Sequence, residues 1–280
     1  MIQKTLKQAV RLSGIGIHSG NNIELRLIPS ALGELVFRRT DKDDLELRVN
    51  LDTVEARNAT VLTGNGTKIR TVEHLLASLY IFGINSLVIE INGDEIPILD
   101  GSALPFVTAF KKVGTQNLTE KIRPIKIIKP FFIEEKGTSL YFRPDPDFRL
   151  TYVIHYNHPL IQRQEYSLMV NKHSFSREIA PARTFGFLKD VLYLQSQGLA
   201  KGGSLNNAVV LDDEGVINGP LRFPDEFVRH KILDLIGDIS LLGNPLIGYC
   251  RAIKAGHELH LNAVRFLYSH SEFWEFADEK

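Results

Sequence analysis

The chain has 280 residues, 44% of them hydrophobic and 24% charged, which excludes a disordered polymer and suffices for one large domain or two ordinary ones. Its 33 Lys and Arg balance its 33 Asp and Glu, so no global field draws it to nucleic acid or anionic lipid. The single cysteine, Cys250, excludes an internal disulfide and any zinc site built from several thiolates, leaving nine histidines and the carboxylates as metal donors.

Taken in chain order, residues 5–10 and 23–28 alternate as strands do, on either side of a loop holding Gly14, Gly16 and Gly20. Residues 31–63 mix short apolar stretches with a charged turn at 41–44, which suggests further short strands or a small inserted sheet. The period changes at Thr71: Leu75, Leu76 and Leu79 fall at helical spacing, with Thr71 as the predicted N-cap. A strand over 86–91 and a helix over 103–112 follow. Residues 114–124, crowded with Gly, Thr, Asn and charge, read as a linker. The second half then repeats the plan, with strands over 125–128, 139–142, 150–154, 166–170 and 208–211. A stretch of unassigned type lies at 183–203, and a helix at 227–242, a strand at 247–254 and a helix from His257 complete the chain. Two halves that each run from strands through a helix to a strand and a last helix predict an α+β fold of two similar domains, residues 1–118 and 124–280. No apolar run approaches the ~18 residues of a membrane span. The opening MIQKTLKQAV lacks the apolar core and cleavage site of a secretory signal, so the protein is expected in the cytoplasm.

Chemistry concentrates in two helices. Glu73 and His74 open the first, and His230, Asp234 and Asp238 follow at i, i+4 and i+8 on the other, with Ile232, Leu233, Leu235 and Ile236 on the remaining surface. Residues four apart on a helix hold their Cβ atoms about 5–6 Å apart, so an imidazole and a carboxylate there can ligate one ion, with His74 as a third ligand and water as a fourth. The ordinary reading of a helical His–Asp pair is a solvated ion pair. Against it, Asp234 and Asp238 sit among apolar residues, where a carboxylate needs a partner or a metal. Glu73, about 100° round its helix from His74, is placed as a general base. His257 after Gly256 reads by itself as a helix N-terminal surface residue, and His18 lies in a specific-looking loop without an evident partner. His155, His158, His173 and His270 show no pattern. Gly202-Gly203-Ser204 is a turn without P-loop context, and the sequons Asn58-Ala59-Thr60 and Asn117-Leu118-Thr119 have no meaning in a cytoplasmic protein.

Seven blocks in order resemble the zinc-dependent UDP-3-O-acyl-N-acetylglucosamine deacetylases of lipid A synthesis in Gram-negative bacteria. They are Gly14–Gly20, Thr71–His74, Glu95–Ser102, Ala182–Phe187, Gly198–Ser204, Val228–Asp238 and Gly256-His257. The resemblance implies one catalytic Zn²⁺ on His74, His230 and Asp234, with Glu73 as general base, His257 as general acid and Asp238 orienting it. It implies that Thr184 holds the oxyanion and that Lys231 lines the substrate site. It also implies a β-α-α-β sandwich with a small insert in each domain, the first at about 41–63. The second insert, about 185–212, would form an acyl passage from Phe185, Phe187, Leu188, Val191, Leu192, Leu194, Gly198 and Leu199. The implied reaction removes the N-acetyl group of UDP-3-O-[(R)-3-hydroxyacyl]-N-acetylglucosamine as acetate, in a monomer that binds this substrate and no nucleic acid. The sequence departs from the family at His260, where Asn is usual, and Glu258 lies between it and His257; either is placed to perturb His257. A different amide substrate for the same site, and a sugar-nucleotide-binding module with a structural metal, are the competing readings. The second leaves Glu73 and His257 without a purpose.

Overall fold

The computed structural model describes residues 1–49, 51–56 and 58–277. In the first half, Ile23, Leu25 and Leu27 alternate inward along Asn22–Pro29, and this strand lies inside a five-stranded sheet. The strand order is Val10–Ile15, Asn22–Pro29, Leu87–Ile91, Leu35–Arg39, Leu45–Arg48. Leu45–Arg48, expected to belong to the insert, is instead the edge of this main sheet. Asp43 and Asp44, with φ of 48° and 57°, turn the chain back onto Leu35–Arg39. The small sheet therefore starts and ends later than the sequence suggested: it is the antiparallel set Val54–Ala56, Thr60–Gly64 and Thr67–Ile69.

The second half forms a seven-stranded sheet in which Leu246–Ile253 lies between Thr138–Arg143 and Phe148–Tyr156, antiparallel to the first and parallel to the second. Phe131–Glu135 and Gln162–Met169 flank these, and Ile125–Ile127 and Trp274–Phe276 extend the start of Leu246–Ile253. The stretch without an assigned type resolves into a strand, Phe185–Phe187, a helix, and a strand, Val209–Leu211, paired in parallel. Residues expected as a linker also pair, since Thr115–Lys121 runs antiparallel to Ile2–Leu6.

The described residues contain helices α1 (Glu73–Phe82), α2 (Leu104–Val113), α3 (Lys172–Ser174), α4 (Leu188–Ser196), α5 (Glu226–Ile239) and α6 (His257–Ser269). None is long and apolar enough to cross a membrane. Helices α1 and α5 are buried on nearly every side and pack on each other, with α5 lying on Phe148–Tyr156 and Gln162–Met169. One hydrophobic core runs from the first sheet through these helices to the second, so the fold is α+β with the helices as its inner layers. The α1–α5 contact depends on Gly237. A Cβ there would stand 2.3 Å from the Glu73 carbonyl oxygen, so only glycine lets α5 touch the backbone of α1 at the start of that helix.

Candidate metal centre

The predicted cap of α1 is not where the structure puts it. Val72 occupies the N-cap position, while Thr71 takes φ +57°, unusual for a β-branched residue, and its hydroxyl donates to Glu95 Oε1 at 3.2 Å. The fully buried Glu95 also accepts the backbone N–H groups of His18 and Ser19, both at 2.8 Å. The Gly14–Gly20 and Glu95–Ser102 motifs are thereby joined at one carboxylate, which fixes the entry to α1 and so the placement of Glu73 and His74. Across the α1–α5 contact stand His230 and Asp234. His74 Nε2 and His230 Nε2 lie 3.8 and 3.4 Å from Asp234 Oδ1, all three side chains being buried. Metal–ligand bonds of ~2.0–2.1 Å at tetrahedral angles place ligand atoms roughly 3.3–3.4 Å apart, so these donors fit one small divalent ion after a slight contraction.

Protonation favours the same use. Burial lowers the His230 pKa to about 4, against the opposing pull of Asp234, so its imidazole is neutral. Its Nδ1 bonds to the Ala182 carbonyl at 3.1 Å, which turns Nε2 towards Asp234. The Ala182–Phe187 segment is itself held to α5: Arg183 Nε and Nη2 donate to the two oxygens of buried Glu226 at 2.8 and 3.1 Å. Burial raises the Asp234 carboxyl, but Lys231 and the histidines outweigh it and hold the pKa well below the ordinary value. Lys231 Nζ donates to Asp234 Oδ2 at 2.7 Å, so one oxygen of Asp234 faces the histidines and the other a cation.

A second His–Asp cluster, Asp238 with His257 and His260, lies beside the first. Its atoms are committed to each other. Asp238 Oδ2 accepts from His257 Nδ1 at 2.7 Å and His260 Nδ1 at 2.8 Å, and Oδ1 accepts the Thr60 hydroxyl. Burial lowers the His257 pKa, yet the Asp238 carboxylate more than reverses this and raises it to about 9. An imidazolium cannot ligate a metal, so of the two groups His74, His230 and Asp234 are the metal candidate. His260, the departure from the family pattern, is buried and bonds through Nε2 with the Tyr152 hydroxyl at 3.1 Å. It thus shares the carboxylate that orients His257, whereas Glu258 has no part in this cluster. Glu73 is also buried, and burial raises its pKa above the usual carboxylate range.

These groups open on one cavity of about 580 Å³, lined among others by Glu73, His74, Thr184, His230, Lys231 and His257. Phe185, Phe187, Leu188, Val191 and Leu194 line its apolar side. Leu192, Gly198 and Leu199 are not in that lining; Leu192 stands 60% exposed on the other side of α4 from Val191 and Leu194. The Gly14–Gly20 and Gly198–Ser204 loops meet here, because a Cβ on Gly202 would lie 2.2 Å from the Gly16 carbonyl oxygen. Thr60, at the head of a small-sheet strand, was noticed in the sequence only as part of a sequon. Its backbone N–H donates to Glu73 Oε2 at 3.1 Å, and no local pattern signals a contact 178 residues distant with Asp238.

Two imidazoles and a carboxylate are a donor set for one metal ion, and with a second carboxylate and an imidazolium beside them the groups are those of a mononuclear metallohydrolase. The sequence of the UDP-3-O-acyl N-acetylglycosamine deacetylase family matches residues 3–269. A UDP-3-O-acyl-N-acetylglucosamine deacetylase from Thermodesulfovibrio yellowstonii is 48% identical over 279 residues, covering 99% of this chain and 95% of the relative. The protein of that name from Chromobacterium violaceum is 41% identical, covering 99% and 93%, and that from Nautilia profundicola 42%, covering 100% and 96%. The chain belongs to this deacetylase family.

Proposed function

We propose that the protein hydrolyses the N-acetyl group of UDP-3-O-[(R)-3-hydroxyacyl]-N-acetylglucosamine, releasing acetate and the free amine in lipid A synthesis. The observation that carries this reading is the convergence of Glu73, His74, His230, Asp234 and His257 on one cavity whose far side is apolar. His74, His230 and Asp234 would hold a single Zn²⁺, the ion that suits two imidazoles and a carboxylate. When bound, such an ion supplies Lewis acidity, making water a nucleophile near neutral pH and polarising an amide carbonyl.

The chain's own groups handle the protons. Glu73, held by the Thr60 N–H, accepts the proton that the attacking water loses. His257 turns Nδ1 to Asp238 and leaves Nε2 to deliver a proton to the departing amine, which is too poor a leaving group unprotonated. The Thr184 hydroxyl is assigned to the developing oxyanion and Lys231 to the substrate's negative charge. In this reading Phe185, Phe187 and Leu188 with Val191 and Leu194 enclose the acyl chain. The reading also divides the chain into domains 1–118 and 124–280 and places it in the cytoplasm as a monomer. Acetate release from the acylated nucleotide sugar tests the function. Turnover should stop on chelation and return with Zn²⁺; a zinc-loaded protein that leaves this substrate intact but cleaves a simpler amide would refute the assignment.

A further inference from the structure

We propose that Thr60, from the small sheet of the first half, is a positioning residue that fixes the proton acceptor Glu73 and the proton donor His257 relative to each other. This rests on the functional reading above. Every polar group of the fully buried Thr60 is engaged at the site. Its N–H donates to Glu73 Oε2 at 3.1 Å and its carbonyl accepts from Val72 N at 3.3 Å, so the strand grips the first turn of α1 and the carboxylate that projects from it. Its hydroxyl donates to Asp238 Oδ1 and, with its proton spent there, presents a lone pair to His257 Nδ1 at 3.1 Å. The His257 Nδ1–H therefore lies between two acceptors, Asp238 Oδ2 and Thr60 Oγ1, which sets the tautomer and aims Nε2 at the cavity. No other described residue bonds to both Glu73 and His257.

A buried threonine can also serve packing alone, and two substitutions separate the roles. Thr60→Val keeps the shape and removes the hydroxyl; Thr60→Ser keeps the hydroxyl and removes the methyl. Misplacing a proton donor by ~1 Å forfeits on the order of 10²-fold in rate. T60V should therefore lose about 10- to 100-fold in kcat, with KM within about twofold and one metal per chain retained. T60S should stay within about threefold of the parent in kcat. In NMR spectra the downfield His257 Nδ1–H signal should move upfield and exchange faster with solvent in T60V, and stay in place in T60S. Equal loss in both variants, or a T60V defect confined to KM or metal content, would make Thr60 a packing residue and overturn the proposal. Should T60V fail to fold, T60S decides, because loss of its turnover or of the Nδ1–H signal contradicts the proposal. If the parent protein released no acetate, the functional reading would fall, and the Nδ1–H signal of the two variants would still decide the role of Thr60.

Discussion

Asp238 accepts three hydrogen bonds with two oxygens, from Thr60, His257 and His260, in a setting with no exposure to water. Burial alone would raise its pKa, but the two imidazoles outweigh this and bring it down to about 2, so it remains an anion wherever the enzyme works. The sign of its effect on catalysis follows. As the proposed proton donor His257 must be protonated; its pKa is raised to about 9 by that anion, and activity should be lost as pH rises through this value. As the proposed proton acceptor Glu73 must be ionised, and because burial raises its pKa the acid limb should lie above the ordinary carboxylate value of 4.5. Asp238→Asn removes the charge and should move the alkaline limb of the kcat/KM profile to lower pH, leaving the acid limb where it is. An unmoved alkaline limb would show that Asp238 does not tune His257. At this scale the sequence was legible where geometry is local. His230 and Asp234 are one helical turn apart, a spacing that allowed a shared ion, and their apolar neighbours argued against a solvated ion pair. Thr60 was not legible, because its partners lie 178 and 197 residues away and are reached only through the packing of α1, α5 and α6.

Helices α1 and α5 meet where Gly237 faces Glu73, so the packing contact and the candidate metal donors lie side by side. Gly237→Ala would place a Cβ 2.3 Å from the Glu73 carbonyl oxygen and 2.9 Å from its Cα. The helices must then separate, at about 1–3 kcal/mol, the usual range for overpacking. Denaturant unfolding should register that loss, and metal content should fall with it since His74 moves away from His230. A variant with full stability and full metal content would mean that the contact is looser than its geometry implies. Both helices were legible from apolar periodicity. The cap of α1 was not, because Thr71 directs its hydroxyl to Glu95, 24 residues on, and not to its own helix. Strand Thr115–Lys121 was hidden for a related reason: its exposed, polar residues pair with Ile2–Leu6 at the other end of the first half, a contact that carries no periodic signal. Helix α4 has no buried residue, so its own pattern gave no face to read, and only the cavity shows that Val191 and Leu194 turn inward while Leu192 does not.

The site is built from both halves of the molecule. Glu73, His74 and Thr60 come from the first, and His230, Asp234, Asp238 and His257 from the second, and a single core holds the two together. With a formal net charge of zero, the diphosphate-bearing substrate proposed above would have to be met by local cations and not by the field of the whole chain. The duplicated plan of strands, helix, strand and helix was legible along the sequence, whereas the inward facing of α1 and α5, a property of the assembled layers, came only from the family resemblance. The central claim is that one divalent ion on His74, His230 and Asp234 works with Glu73 as the proton acceptor beside it. Acetate release by Glu73→Gln, measured on a preparation whose metal content is determined at the same time, tests it most directly. The account predicts one metal per chain and a fall in kcat of at least about 10²-fold, the contribution of a general base; parental turnover with the metal in place would contradict it.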